Sequence, residues 1–327
     1  MIKKVLLGLL GLVILLSLGG FAYVESTYLR DFSKVPLPDI KASTDPLVIA
    51  QGEYVANALV HCPICHGAFG SKTDPKFRDR GDLRGGMAIE AGPFGTFYMA
   101  NITPDPETGI GKYSDGQLAR VIRSGVHPDG RLSAMMALAV GRLADEDLVA
   151  VVSYLRSLKP VKNVVPRSEW GFVAKALAGK IGPSTLPIPK YVAATATASV
   201  ERGEYIAKGP GFCIGCHTPF DMMEFKPGGA PFSGESMAEP DPSDDKFEIA
   251  VPNLTPHPKT GHITAWTEDA FVARFKSGRI YKGSKMPWES FSQMTEADLR
   301  SVYRFLRTVP PVDHAIGPSR REAGWKP

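Results

Sequence analysis

Residues 5–24 run from Val5 to Val24 without a charge and reach the roughly 20 apolar residues that a helix needs to cross a bilayer. Lys3 and Lys4 precede the run, so the bias of basic residues toward the cytoplasm keeps the N-terminus inside and exports the remainder. A cleaved signal peptide carries a shorter apolar region of about 7–15 residues and an Ala-x-Ala-like site. The longer run, without such a site, predicts an uncleaved anchor over residues 1–25. Further along, apolar residues recur at helical spacing at Leu148, Val151, Val152, Leu155 and Leu158, and again at Leu299, Val302, Phe305 and Leu306. Both stripes predict helices that face a core. Shorter helices are predicted over 47–60 and 200–208. Another starts at Ser114, where Gln117 three residues on completes a capping box, and stops at Gly125; its counterpart runs from Thr267 to Gly278.

The pairing of these elements reflects an internal duplication. Gly52-Glu-Tyr-Val-Ala matches Gly203-Glu-Tyr-Ile-Ala, and Asn101-Ile-Thr-Pro-Asp-Pro-Glu-Thr-Gly109 matches Asn253-Leu-Thr-Pro-His-Pro-Lys-Thr-Gly261. The run ending Arg123-Ser-Gly125 matches that ending Lys276-Ser-Gly278, and Leu143-Ala-Asp-Glu-Asp-Leu148 matches Met294-Thr-Glu-Ala-Asp-Leu299. The predicted organisation is a juxtamembrane linker (26–45), a first domain (46–159), a Pro/Ala-rich linker (160–198), a second domain (199–316) and a C-terminal tail (317–327).

Each copy holds one Cys-x-x-Cys-His sequence, Cys62-Pro-Ile-Cys65-His66 and Cys213-Ile-Gly-Cys216-His217, and together they use all four cysteines. A zinc ribbon would place its two pairs about 15–20 residues apart so that four thiolates close on one metal. Here Cys62 and Cys213 are 151 residues apart and a histidine follows each pair. That is the attachment signature of c-type haem, with two thioethers to the haem vinyl groups and the adjacent imidazole on the iron. Two covalently bound haem c groups are therefore expected, held by Cys62, Cys65, Cys213 and Cys216 with His66 and His217 as proximal iron ligands.

The other axial ligand separates an electron carrier from a catalyst, since a permanent methionine raises the potential and keeps substrate off the iron. Leu148 and Leu299 share the 151-residue offset of the cysteines, and that register sets Met135 opposite Met286. Met286-Pro287 falls on a loop well downstream of its motif. The first copy reads Ser133-Ala-Met135-Met136 without the proline, so Met135 is the aligned choice and Met136 its alternate. Met87, Met99, Met222, Met223 and Met237 have no aligned partner and read as packing or loop residues. His61, His127, His257, His262 and His314 read as surface or propionate-contacting residues.

With 327 residues, 43% of them hydrophobic, the chain is long enough for two small cores of about 100 residues each. The formal net charge of +4 arises between the copies, where Lys162, Arg167, Lys175, Lys180 and Lys190 face only Glu169. A basic linker near an anchor suits a solvated connector, anionic lipid or an acidic partner patch. Nothing in the pattern points to nucleic acid, and no Ser-His-Asp set, phosphate loop or nucleotide fingerprint is present.

Over residues 46–165 and 199–316 the chain resembles the class I cytochrome c domains of diheme cytochromes and of the membrane-bound cytochrome subunits of bacterial periplasmic dehydrogenases. The resemblance rests on Asn-Ile/Leu-Thr-Pro with its following Thr-Gly, the Ser-Gly after the middle helix and the Met-Pro before the last one. Subunits serving alcohol, gluconate and aldehyde dehydrogenases often carry three haem domains, whereas this chain has two. The resemblance implies a mainly α fold of two tandem class I cytochrome c domains with long loops, preceded by one N-terminal transmembrane helix in the bacterial inner membrane. It also implies a periplasmic electron carrier, without catalytic residues of its own, between a dehydrogenase or quinol-oxidising complex and a downstream cytochrome or terminal oxidase. A diheme peroxidase with a displaceable distal ligand at haem 1 is the alternative.

Overall fold

The computed structural model describes residues 2–69, 78–79, 82–139, 142–184, 187–221 and 226–325. Met222 and Met223, read above as packing or loop residues, lie outside them, as does the side chain of Met237. The chain is mainly helical. Helix α1 (Ile2–Thr27) is the apolar N-terminal helix, solvent-exposed along most of its length and long enough to cross a membrane.

Four helices organise the rest. In the first copy α2 (Pro46–Tyr54) continues through a π-helical turn over Val55–Leu59, followed by α3 (Cys62–His66), α4 (Asp115–Ser124), α5 (Ala134–Ala139) and α6 (Asp145–Ser157). Residues between the copies form α7 (Phe172–Leu177). The second copy supplies α8 (Val200–Lys208), α9 (Cys213–Cys216), α10 (Glu268–Lys276), α11 (Trp288–Phe291) and α12 (Glu296–Leu306). Helices α2, α4, α8, α10 and α12 each start at a side chain that caps them. The Ser114 hydroxyl accepts from Gln117 N while the Gln117 side chain closes the box, and Thr267, Thr295 and Ser199 accept from Ala270, Asp298 and Arg202 N. Gly125, at φ +76°, ends α4 in the left-handed region as its position predicts.

Small sheets, which the helical periodicity did not reveal, fill the loops. Strand β1 (Ala68–Phe69) pairs with β2 (Arg78–Asp79), and β3 (Ala88–Glu90), β4 (Gly95–Tyr98) and β5 (Glu169–Trp170) form an antiparallel sheet. Strand β6 (Phe220–Asp221) pairs with β7 (Lys226–Pro227), and β8 (Glu235–Pro240), β9 (Phe247–Val251) and β10 (Arg320–Glu322) form a second three-stranded sheet. The segment between the copies thus lends a strand to the first, and the C-terminal segment lends one to the second.

Helix α2 crosses α6 and α8 crosses α12 at glycines that admit no side chain. A Cβ on Gly52 would lie 1.9 Å from the Ala150 carbonyl oxygen, and one on Gly203 would lie 1.9 Å from that of Ser301. Backbone contact at these crossings explains why both copies carry the glycine. The predicted stripes of α6 and α12 are buried, and one apolar cluster runs through both copies.

At the centre of that cluster the copies exchange polar contacts. The Tyr54 hydroxyl donates to Asp298 Oδ2 (2.7 Å) and accepts from Thr295 N (3.2 Å). Its counterpart Tyr205 donates to Asp147 Oδ2 (2.6 Å) and accepts from Ala144 N (3.4 Å). Each tyrosine is shared with the other copy's last helix. One position breaks the symmetry. Arg202 grips Asp298 with Nε and Nη2 at 2.9 and 3.1 Å, whereas Gln51, at the equivalent place, offers Asp147 only Nε2 at 3.3 Å.

Removing one member of a buried ion pair strands the other charge at a cost of about 3–5 kcal/mol. Arg202→Met is expected to lower stability by that amount in a denaturant titration, and Arg202→Gln, which reproduces the first copy's arrangement, by less. Asp147 has no cation bonded to it, and burial pushes its carboxyl above the ordinary range despite the Tyr205 and Gln51 hydrogen bonds. The folded chain holds that proton more tightly than the unfolded one. The resulting stability is full below the unfolded carboxyl's pKa of about 3.9 and is lost as pH rises through the raised value. Asp147→Asn should therefore gain stability relative to the wild type between pH 3 and pH 7, read as diverging urea midpoints.

Candidate haem-binding sites

The two Cys-x-x-Cys-His sequences occupy matching places in the fold. Cys62, Cys65 and His66 lie on the single turn of α3; Cys213 and Cys216 lie on α9, with His217 as its C-terminal cap. None of the four cysteines is in a disulfide. The residue entering each motif, His61 at φ +53° and Phe212 at φ +50°, is in the left-handed region. That conformation costs a non-glycine residue on the order of 1–3 kcal/mol and concentrates at functional turns. Both copies hold it at the same position, which turns the chain abruptly into the motif.

Each motif histidine is anchored through Nδ1 to a backbone carbonyl, His66 to Ala100 at 2.7 Å and His217 to Pro252 at 2.9 Å. A carbonyl can only accept, so Nδ1 carries the hydrogen and Nε2 is left as the ring's donor to a metal. Burial lowers the pKa of both rings, that of His217 to about 4. Burial also pushes the Cys62 and Cys213 thiols up to about 12, so they are protonated at neutral pH. Two adjacent thiols and an oriented neutral imidazole fit the covalent and axial attachments of haem c.

The repeated Asn-x-Thr-Pro sequence holds those carbonyls in place. Asn101 Oδ1 accepts from Thr103 N (3.0 Å) and Thr103 Oγ1 (2.7 Å), while its Nδ2 donates to the Val161 carbonyl (2.8 Å). Asn253 repeats the pattern with Thr255 N (2.9 Å), Thr255 Oγ1 (2.7 Å) and the Val312 carbonyl (2.9 Å). The loop after the motif is thereby tied to the chain leaving the last helix. Ala100 and Pro252, immediately before the asparagines, present their oxygens to the imidazoles. Sequence reading found the repeat but not these carbonyls, because a backbone acceptor leaves no residue-type signal.

The distal candidates differ. Met286 is half-buried against the shared core on a loop held by Arg279, which pairs with Glu289 and donates to the Ser284 and Met286 carbonyls. Met135 lies on α5 and is 37% exposed, with Met136 beside it half-buried. Of the five other histidines, His314 bonds to the Ser233 carbonyl, His257 to Thr260, and His61 to the Leu59 carbonyl while stacking edge-on against Phe291 at 5.8 Å; His262 packs on Trp266 at 5.4 Å, and the buried Nδ1 of His127 has no hydrogen bond among the described residues.

Over 82% of its length the chain is 32% identical to the cytochrome c subunit of a quinone-dependent alcohol dehydrogenase from Gluconobacter oxydans, covering 56% of that protein. It is 28% identical over 84% of its length to the cytochrome subunit of fructose dehydrogenase from Gluconobacter japonicus, covering 55% of it. A diheme c-type cytochrome from Cereibacter sphaeroides is 26% identical over 77% of the chain, and 83% of that protein is covered. The chain is a homologue of bacterial dehydrogenase cytochrome c subunits and of a diheme cytochrome c. No protein-family model matches it. This cytochrome c homologue spans a little over half the length of the alcohol dehydrogenase subunits it matches.

Asn253 is buried and its side chain joins Thr255, Thr260, Val312 and His314, and leaving buried groups unpaired costs about 1–3 kcal/mol each. Asn253→Ala is expected to destabilise the protein by at least that much in chemical denaturation, and Asn101→Ala to do the same in the first copy.

Proposed function

We propose that the protein is a diheme c-type cytochrome of two tandem class I domains, residues 46–159 and 199–316, anchored in the bacterial inner membrane with its haem domains in the periplasm. It carries electrons from a dehydrogenase or quinol-oxidising complex to a downstream cytochrome or terminal oxidase. The observation that carries this reading is the doubled motif in which each imidazole is oriented by a carbonyl of a repeated, tied loop. Cys62, Cys65, Cys213 and Cys216 would hold the haems covalently, His66 and His217 would bind iron through Nε2, and Met135 and Met286 would close the distal positions. Bound haem supplies a one-electron ferric/ferrous couple. The chain's own part is to bury it, orient the imidazole and hold the two sites close. In support of that proximity, His61, next to Cys62, packs on Phe291, five residues after Met286. The dehydrogenase subunits among its relatives favour a dehydrogenase as donor.

A second reading has its own support, since Met135 is exposed on a short helix without the proline and arginine clasp that surround Met286. A distal ligand so held suits displacement, as in a peroxidase. Spectroelectrochemical titration of the purified membrane protein tests both readings. Two reversible one-electron steps, a far-red methionine-to-ferric band from each haem and no carbon monoxide uptake are expected of the carrier. Met286→Leu should remove one band and Met135→Leu the other, each opening one haem to carbon monoxide. A native haem that lacks the band and binds carbon monoxide overturns the pure-carrier reading.

A further inference from the structure

We propose that residues 169–181, between the two copies, form a foot that rests on the lipid bilayer beside α1, with the outer face of α7 at the boundary between headgroups and acyl chains. The proposal rests on the reading of α1 as membrane-spanning. The Phe172 ring stacks on that of Phe21 in α1, with centroids 6.2 Å apart and planes 5° from parallel. Phe21 lies three residues before Val24, the end of the uncharged run, which at 1.5 Å per residue places it about 4.5 Å inside the apolar span. Phe172 shares that depth, close to the roughly 5–10 Å at which interfacial amphipathic helices bury their apolar faces. Phe172 is 54% exposed and Ala176, one turn on, is exposed beside it, whereas Ala174, Ala178 and Ile181 are buried on the inner side.

Polar contacts begin where the apolar run ends. Lys175 Nζ bonds both oxygens of Glu25, at 2.7 and 2.9 Å, and lies 4.6 Å from the centre of the Tyr28 ring. The Arg30 guanidinium donates to the carbonyls of Ala178 and Ile181. Trp170 packs against Tyr28 and Phe97, giving the aromatic girdle that favours a membrane–water interface. Exposed Arg167 and Lys180 flank the foot with the charge that anionic headgroups attract.

The foot is also built onto the first copy. Strand β5 pairs with β4, and a Cβ on Gly171 would lie 2.3 Å from the Pro93 carbonyl oxygen, so backbones meet there without room for a side chain. Seating α7 on lipid therefore fixes how the first copy faces the membrane.

The test uses full-length, haem-loaded protein in vesicles of phosphatidylcholine with phosphatidylglycerol. All four native cysteines lie in the haem motifs, so a nitroxide on an introduced cysteine labels one place. Ala176→Cys, Leu12→Cys in α1 and Glu201→Cys on α8 are compared by their accessibility to oxygen and to a water-soluble nickel complex. A label at 176 that favours oxygen several-fold over the label at 201, with 12 deepest, is the expected result; adding Phe172→Asp should return 176 to the aqueous ratio and leave 12 unchanged. A label at 176 in water while 12 reads bilayer overturns the foot and leaves the anchor standing. One shielded from both reagents means protein, not lipid, covers α7 and also overturns it. A label at 12 in water overturns the anchor reading, and the foot with it.

Discussion

A buried carboxylate cannot be left without partners, and two of them sit where the halves of this chain meet. Asp147 and Asp298 are almost fully buried at the starts of α6 and α12, and each accepts from a tyrosine belonging to the other copy. Each half gives its own acid one further side chain, Gln51 to Asp147 and Arg202 to Asp298, and takes the tyrosine hydroxyl from the other half. Because the tyrosines sit two residues after the crossing glycines, moving either helix crossing would also break the exchange. Packing and polar satisfaction thus specify the same arrangement, which is the mark of a well-determined fold. The Cys-x-x-Cys-His motifs follow α2 and α8 after short turns, so this junction helps set their separation.

The sites depend on a second constraint farther out. An imidazole that is to bind iron through Nε2 must have Nδ1 engaged, and a backbone carbonyl can do so only if its loop is immobile. Asn101 and Asn253 supply that immobility by joining the loop to the chain beyond the last helix. The repeated motif is structural in its contacts, and on the proposed reading it orients the iron ligands.

Much of this was legible in residue types. Helix stripes, the Ser114 box, the stop at Gly125, the duplication and the cysteine motifs are all local patterns, and the structure places the helices where periodicity predicts them. The short sheets were not legible, because strands of two to six residues lack enough alternation to register against loops. Trp170 and Arg321 look like linker and tail residues in sequence, since strand pairing with a distant partner leaves no local trace. The distal ligand proposed for the first copy is similarly indistinct, as Met135 and Met136 are adjacent and of one chemistry. The inter-copy tyrosine exchange was hidden for another reason: Gly-Glu-Tyr reads as part of a repeat, and nothing in a repeat says that its members bond across to each other.

With glutamine at position 51 and arginine at the matching position 202, the halves are unequal in a way that bears on assembly. Two first copies from different molecules, meeting through the same faces, would enclose two acids with tyrosines and glutamines but no guanidinium. A first copy meeting a second encloses two acids and one guanidinium. Joined in one chain, the unlike pair is also the pair at highest local concentration. The single guanidinium thus marks one side of the junction, and the tether keeps the side that lacks it beside the side that has it.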